Sequence, residues 1–184
     1  MSLPDVHLDV VVRPDEETRA SVLLSGLFEQ VHRELAARRL TSVGVSFPEA
    51  GEEGGLGTRL RLHGSEVDLR PLGEMSWLVH ASDYYRTTPV RAVPAEYTLR
   101  VVRRLQPNLS AAKIRRLLAR QSVTEERAAE LLAGRDALTA PYVQIRSKSS
   151  GQRFKLFFEQ APVKEAPTDR RFNAYGFGAA VPWF

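Results

Sequence analysis

From Val6 to Val12 (VHLDVVV) apolar and polar positions alternate, the period of a strand with one buried face. Pro14-Asp15-Glu16-Glu17 then reads as the opening of a long helix that runs to about Arg39. Leu24, Leu27, Phe28, Val31 and Leu35 recur at spacings of three and four, so they share one face of that helix, which packs on a sheet. Ser42 to Phe47 (SVGVSF) and Thr58 to His63 (TRLRLH) read as two short strands separated by the acidic, glycine-rich loop EAGEEGGLG. A short helix near Ser65 to Leu72 and an extended stretch around Trp77 to Tyr85 complete a β-α-β-β-α-β order. That order is the ferredoxin-like, or RRM-like, pattern.

The two prolines of TTPVRAVPAE mark a boundary, which predicts a ferredoxin-like half over residues 1–94 and a second half over 95–184. In the second half Tyr97 to Leu105 reads as extended or loop, and Asn108-Leu109-Ser110 precedes a helix over about 111–121. The spacing of Ser122 to Glu125 fits a capping box for a further short helix ending near Gly134. Tyr142 to Arg146, Arg153 to Phe158 and Phe172 to Phe177 read as strands, the first two joined by the turn SKSSGQ, and the apolar VPWF terminus is expected to dock on the core. The fold class expected is α+β: a ferredoxin-like domain plus a second α/β half carrying an arginine-rich RNA-binding helix.

Composition narrows the function. At 184 residues and 43% hydrophobic the chain can bury a substantial core, and its proline and glycine contents are ordinary. Its N-terminus lacks the basic region and continuous apolar stretch of a signal peptide, so a cytoplasmic protein without a membrane partner is expected. Without cysteine there is no disulfide, thiolate nucleophile or cysteine-containing zinc site, and His7, His32, His63 and His80 show no ligand spacing. Neither metal nor cofactor is therefore expected. The formal charge of +4 conceals a segregation: residues 1–96 carry 10 Lys/Arg against 15 Asp/Glu, and residues 97–184 carry 16 against 7. A half so basic repels itself unless an anionic partner neutralises it, and a phosphate backbone is the commonest such partner.

The basic residues concentrate further. Tyr97 to Gln121 holds Arg100, Arg103, Arg104, Lys113, Arg115, Arg116 and Arg120 and no acid. Lys113, Arg116 and Arg120 stand at i, i+3 and i+7 on one helical face, a cationic rail, while Ile114, Leu117, Leu118 and Gln121 occupy another. Arginine suits such a rail because its planar fork bridges phosphate oxygens or takes a guanine edge bidentately. A helix cannot enter the deep, narrow major groove of a long A-form duplex, so a short stem-loop, whose groove opens at its end, is the natural ligand. Arg103, Arg104 and Gln106, just before the helix, could read base edges at the foot of such a stem, with phosphate or solvent contact the equal alternative for either arginine taken alone.

Four other signals have ordinary structural readings when taken singly. His32 lies at the margin of the buried helix face, yet histidine alone has an unperturbed pKa suited to proton transfer near neutrality. Ser147 and Ser149 flank Lys148 in a turn, where hydroxyls commonly satisfy nearby backbone groups. Phe154 sits between Arg153 and Lys155, an aromatic among cations that suits base stacking but also a core. Tyr175 in NAYGFG reads as packing.

Taken together, VRPD, LFEQVHREL, VGVSFP, RLRLHGS, the basic helix, IRSKSSGQRFKLFF, AYGF and VPWF occur in one order over nearly the whole chain. In this the sequence resembles the type I-F CRISPR repeat-processing endoribonucleases, also called the Csy-four or Cas-six-f family. The resemblance implies a metal-independent RNase that cuts a CRISPR repeat stem-loop once at the base of its stem and retains the product, as one subunit of a type I-F RNA-guided effector complex. It implies that His32 is the general base on the ribose 2′-hydroxyl, that Ser147 holds that ribose, that Tyr175 orients His32 and that Phe154 stacks on RNA near the cut. Products would be a 2′,3′-cyclic phosphate and a 5′-hydroxyl. RNA contacts are expected from Arg103, Arg104, Gln106, Lys113, Arg115, Arg116, Arg120, Lys148, Ser149 and Arg153.

Some positions depart from the family's pattern. Arg103 and Arg104 are adjacent, and the spacing to Gln106 differs by about one residue, so both arginines are carried as base readers. Ala111, Ala112 and Ile114 stand near positions that are basic in the family, and Lys148 replaces an amide, where it could add a phosphate contact near the cut. The competing reading is a non-catalytic subunit that caps a guide-RNA hairpin; it needs the basic helix and neither His32 nor Ser147.

Overall fold

The structure is a computed structural model. It describes residues 2–51, 55–74, 83–105, 111–133, 140–147 and 151–184, with the backbone alone for 111–113 and 131–133. Its elements run β1 (Val6–Val12), α1 (Ala20–Arg38), β2 (Gly44–Ser46), β3 (Arg59–Gly64), α2 (Glu66–Gly73), β4 (Tyr85–Thr87), β5 (Arg91–Ala92), β6 (Thr98–Leu105), α3 (Ala111–Ala119), α4 (Glu125–Ala133), β7 (Tyr142–Arg146), β8 (Arg153–Val163) and β9 (Ala180–Trp183). They form an α+β fold with two sheets. One has the order β2-β3-β1-β4, with β5 also pairing β1, and the other has the order β7-β8-β6-β9; every pairing is antiparallel.

Strand alternation explains how the sheets meet. Leu8, Val10 and Val12 of β1 and Leu60 and Leu62 of β3 are buried on one face, in register with each other. Leu24, Leu27, Phe28, Val31 and Leu35 of α1 join the same core, as do Val102, Val143, Ile145, Leu156 and Phe158 of the second sheet. The side chain of Gln160 ties the sheets directly, accepting from the Phe47 N–H at 2.8 Å and donating to the Phe47 carbonyl at 2.9 Å. Among the described residues no helix is long and apolar enough to cross a membrane.

Several local expectations are corrected. The first helix begins at Ala20 rather than at Pro14, because the Asp15 carboxylate accepts the N–H groups of Glu17 and Thr18 and holds a turn there. Thr124 rather than Ser122 caps α4, its hydroxyl accepting from the Arg127 N–H at 3.2 Å. The boundary segment contributes β5. Phe172 to Phe177 is a turn rather than a strand, since its N–H groups are taken by Thr41 and Asn173, and the strand lies later, at β9. The expected strand around Trp77 to Tyr85 falls mostly outside the described residues, with β4 starting at its end.

The second face of the first sheet is also buried, and it is polar. His7, Asp9, Arg61, His63 and Ser46 lie there, capped by Phe184, whose ring stands 4.1 Å from the Arg61 guanidinium and edge-on to His7. His63 is fully buried, and burial, reinforced by the charges of Arg61 and His7, pushes its pKa down to about 3. The unfolded chain takes up this proton near 6.5 and the folded chain only near 3, so stability is present above pH 6.5 and is lost as pH falls through that window. The loss is on the order of a few kcal/mol in all. We therefore expect the urea midpoint to drop steadily between pH 7 and pH 4, and the drop to shrink in His63→Leu.

Candidate active site

The hydrophobic stripe of α1 buries Phe28 and Val31 and thereby leaves His32, one position on, half-exposed at the edge of the packed face. Its Nδ1 lies 2.6 Å from the carbonyl oxygen of Ala174, 142 residues away in sequence. A carbonyl only accepts, so Nδ1 carries the hydrogen and the neutral ring keeps its lone pair on Nε2. The Tyr175 ring stacks on the imidazole with centroids 4.4 Å apart and planes 25° apart, and it is backed by Phe28 and Phe177. One face of the imidazole and one of its nitrogens are thus both held by the turn at residues 173–177.

Opposite α1 stands the β7–β8 hairpin. The Ser147 N–H donates to the Gln152 carbonyl at 2.8 Å and the Gly151 N–H to the Ser147 carbonyl at 2.9 Å, closing the turn with Gly151 at φ 67°. His32, Ser147, Tyr175 and Phe154 line one cleft of about 290 Å³, joined by Glu29, Arg33, Ile145 and Arg146. The four residues expected to surround the cut therefore share one cavity. Arg153, at the start of β8, lines a neighbouring furrow between α1 and β7 that shares Glu29, Ile145 and Arg146 with the cleft. Glu29, Arg33 and Arg146 were not singled out from the sequence; Arg146 directly precedes Ser147, and Glu29 and Arg33 flank His32 on α1, so proximity to the motifs was the available signal.

Strand register separates the two adjacent arginines. Arg104 pairs with Phe158 and its guanidinium lies 5.9 Å from the Phe154 ring, on the cleft side of the second sheet. Arg103 pairs with Glu159 and projects from the opposite face. On α3, Arg115, Arg116 and Arg120 are exposed while Ile114 is buried, and α3 packs on α4. Gln106, Lys148, Ser149 and the side chain of Lys113 lie outside the described residues.

Comparison with known proteins places this arrangement in a lineage. Residues 7–184 match the family described as CRISPR-associated protein (Cas_Csy4). A curated relative from Pseudomonas aeruginosa (strain UCBPP-PA14), "CRISPR-associated endonuclease Cas6/Csy4", is 37% identical over 186 residues, covering 98% of this chain and all of the relative. The protein of the same name from Escherichia coli (strain UTI89 / UPEC) is 36% identical over 185 residues, with the same coverage. Matched over nearly its full length by the family model and by relatives of that identity, the chain belongs to the CRISPR-associated Cas_Csy4 family.

Proposed function

We propose that this protein is an RNA-processing endonuclease that cuts CRISPR repeat RNA once, at the base of its stem-loop, by attack of a ribose 2′-hydroxyl. Relatives that carry the name endonuclease support the enzymatic class. The observation that carries the chemistry is the His32 ring, fixed by the Ala174 carbonyl with Nε2 as its basic nitrogen, in one cleft with Ser147.

In this mechanism Nε2 takes the proton of the 2′-hydroxyl, and the 2′-oxygen attacks the adjacent phosphorus in line with the departing 5′-oxygen. The P–O5′ bond breaks, the 5′-oxygen takes a proton from solvent, His32 returns its own to solvent, and the products are a 2′,3′-cyclic phosphate and a 5′-hydroxyl. The nucleophile and electrophile both belong to the RNA, so the protein needs to supply a base and alignment, and no metal is required. Ser147 at the hairpin rim holds the ribose, and Phe154 stacks on the RNA beside the cut. The arginines of α3, with Lys113, Lys148, Ser149 and Arg153, hold the stem and its foot, and the product stays bound within an effector complex.

Two finer readings belong to the same proposal. The order β2-β3-β1-β4, with α1 and α2 packed on β1 and β3, supports a ferredoxin-like half over residues 1–94, followed by an RNA-binding half over 95–184. Of the two candidate base readers, Arg104 is favoured by its side of the sheet. Arg104→Ala should weaken hairpin binding by ~1–3 kcal/mol and relax sequence preference at the stem foot. Arg103→Ala should weaken it less and without changing preference; titrations against wild-type and base-swapped hairpins check this.

The test of the proposal is cleavage of a labelled repeat hairpin in excess EDTA. A single cut at the stem foot that leaves a cyclic phosphate supports it. Tight binding without cleavage would instead favour the non-catalytic hairpin-binding subunit.

A further inference from the structure

The turn that holds His32 is itself organised by one side chain. Asn173 Oδ1 accepts the N–H groups of Tyr175 at 2.8 Å and Phe177 at 3.2 Å. Its backbone closes the same turn, the Asn173 N–H donating to the Phe177 carbonyl and the Gly176 N–H to the Asn173 carbonyl, each at 2.8 Å. The turn is then pinned to both sheets: Val45 donates to the Gly176 carbonyl at 2.9 Å, and Gly178 donates to the Val102 carbonyl at 3.0 Å. Gly176 is required at this contact, because its φ is 74° and a Cβ there would stand 2.4 Å from Val45 Cγ2. Asn173 is exposed, so its side chain could be solvated instead; it accepts two N–H groups within the turn.

We infer that Asn173 is a positioning residue for cleavage, shaping the turn so that the Ala174 carbonyl and the Tyr175 ring fix His32 with Nε2 unprotonated. This rests on the reading of His32 as the base. An unrestrained neutral imidazole distributes its proton over both nitrogens, and a ring protonated at Nε2 cannot take the proton of the 2′-hydroxyl. The Ala174 carbonyl removes that tautomer only while it is aimed at Nδ1. Its aim is set by the peptide plane between Ala174 and Tyr175, and the N–H on the far side of that plane is the one bonded to Asn173. Losing that anchor lets the plane rotate. A peptide-like acceptor at position 173 is what the turn uses, as in an Asx turn, where a side-chain oxygen stands in for a backbone carbonyl.

The experiment compares Asn173→Ala, Asn173→Ser and Asn173→Asp with wild type and His32→Ala, on hairpin affinity, single-turnover cleavage and nitrogen NMR of the imidazole ring. We expect Asn173→Ala to cleave about 10²-fold more slowly at unchanged hairpin affinity, the scale of loss when a reacting group is displaced by about 1 Å. Its His32 ring should show mixed tautomers. Asn173→Asp keeps an Oδ1 acceptor for both N–H groups and restores rate and tautomer together, and Asn173→Ser, a weaker acceptor, falls between. Wild-type cleavage by Asn173→Ala beside an inactive His32→Ala overturns this inference alone, as does failure of Asn173→Asp to exceed Asn173→Ala. Wild-type cleavage by His32→Ala overturns the reading of the base beneath it.

Discussion

His32→Ala is expected to slow cleavage of a repeat hairpin by about 10²- to 10⁴-fold, the range general-base assistance supplies, while hairpin affinity stays close to wild type. The separation follows from where the residue stands. His32 is half-exposed at the margin of α1, so truncating it leaves the buried stripe of Leu24, Leu27, Phe28, Val31 and Leu35 intact. Most of the cationic side chains proposed to hold the stem lie elsewhere, on β6 and α3. Single-turnover rates beside equilibrium titrations of the same hairpin decide the matter. Parallel losses of affinity and rate would make His32 a structural or binding residue and would favour the hairpin-capping alternative.

Asp9→Ala is expected to cost ~3–5 kcal/mol of folding stability, the scale found when one partner of a buried ion pair is removed. Asp9 and Arg61 are both buried and meet through two hydrogen bonds, Nε to Oδ1 at 2.7 Å and Nη2 to Oδ2 at 3.0 Å. Burial alone would raise the Asp9 carboxyl, but the hydrogen bonds and charge of Arg61, with Arg59, hold it below its ordinary value. Arg59 also reaches Asp9 at 2.9 Å, yet it is 37% exposed and its contribution is screened by solvent, so the Arg61 pair dominates. With Asp9 gone, the Arg61 guanidinium remains enclosed beneath Phe184 without its carboxylate. The loss is a large share of the ~5–15 kcal/mol typical of a domain. Joint replacement, Asp9→Leu with Arg61→Met, should recover much of it, because no uncompensated charge is left behind. Urea unfolding of wild type and these two variants at pH 7 measures both quantities.

Local periodicity was enough to position most elements. The alternation in VHLDVVV, the stripe on α1 and the polar turn between YVQIR and RFKLFF each have a physical period that a chain cannot satisfy in many ways. The ordered motifs around His32, Ser147 and Tyr175 were likewise legible, because they are side-chain identities. The start of α1 was not, since Asp15 competes for the same N–H groups through its own side chain.

What tertiary structure decided is of a different kind. Alternation says that His7 and Asp9 share a face, but their burial depends on Phe184 and β9 arriving from the other end of the chain. The adjacent Arg103 and Arg104 are equivalent in sequence and are told apart only by their register with Phe158 and Glu159. The proton on His32 is assigned by the carbonyl of Ala174, and every residue has a carbonyl, so no residue type could mark that one. Residue identity and period were enough to mark which side chains are candidates for chemistry and which faces must be buried, because those follow from composition and spacing. Only long-range packing decided which backbone group meets which side chain, because that contact spans 142 residues and has no local signature.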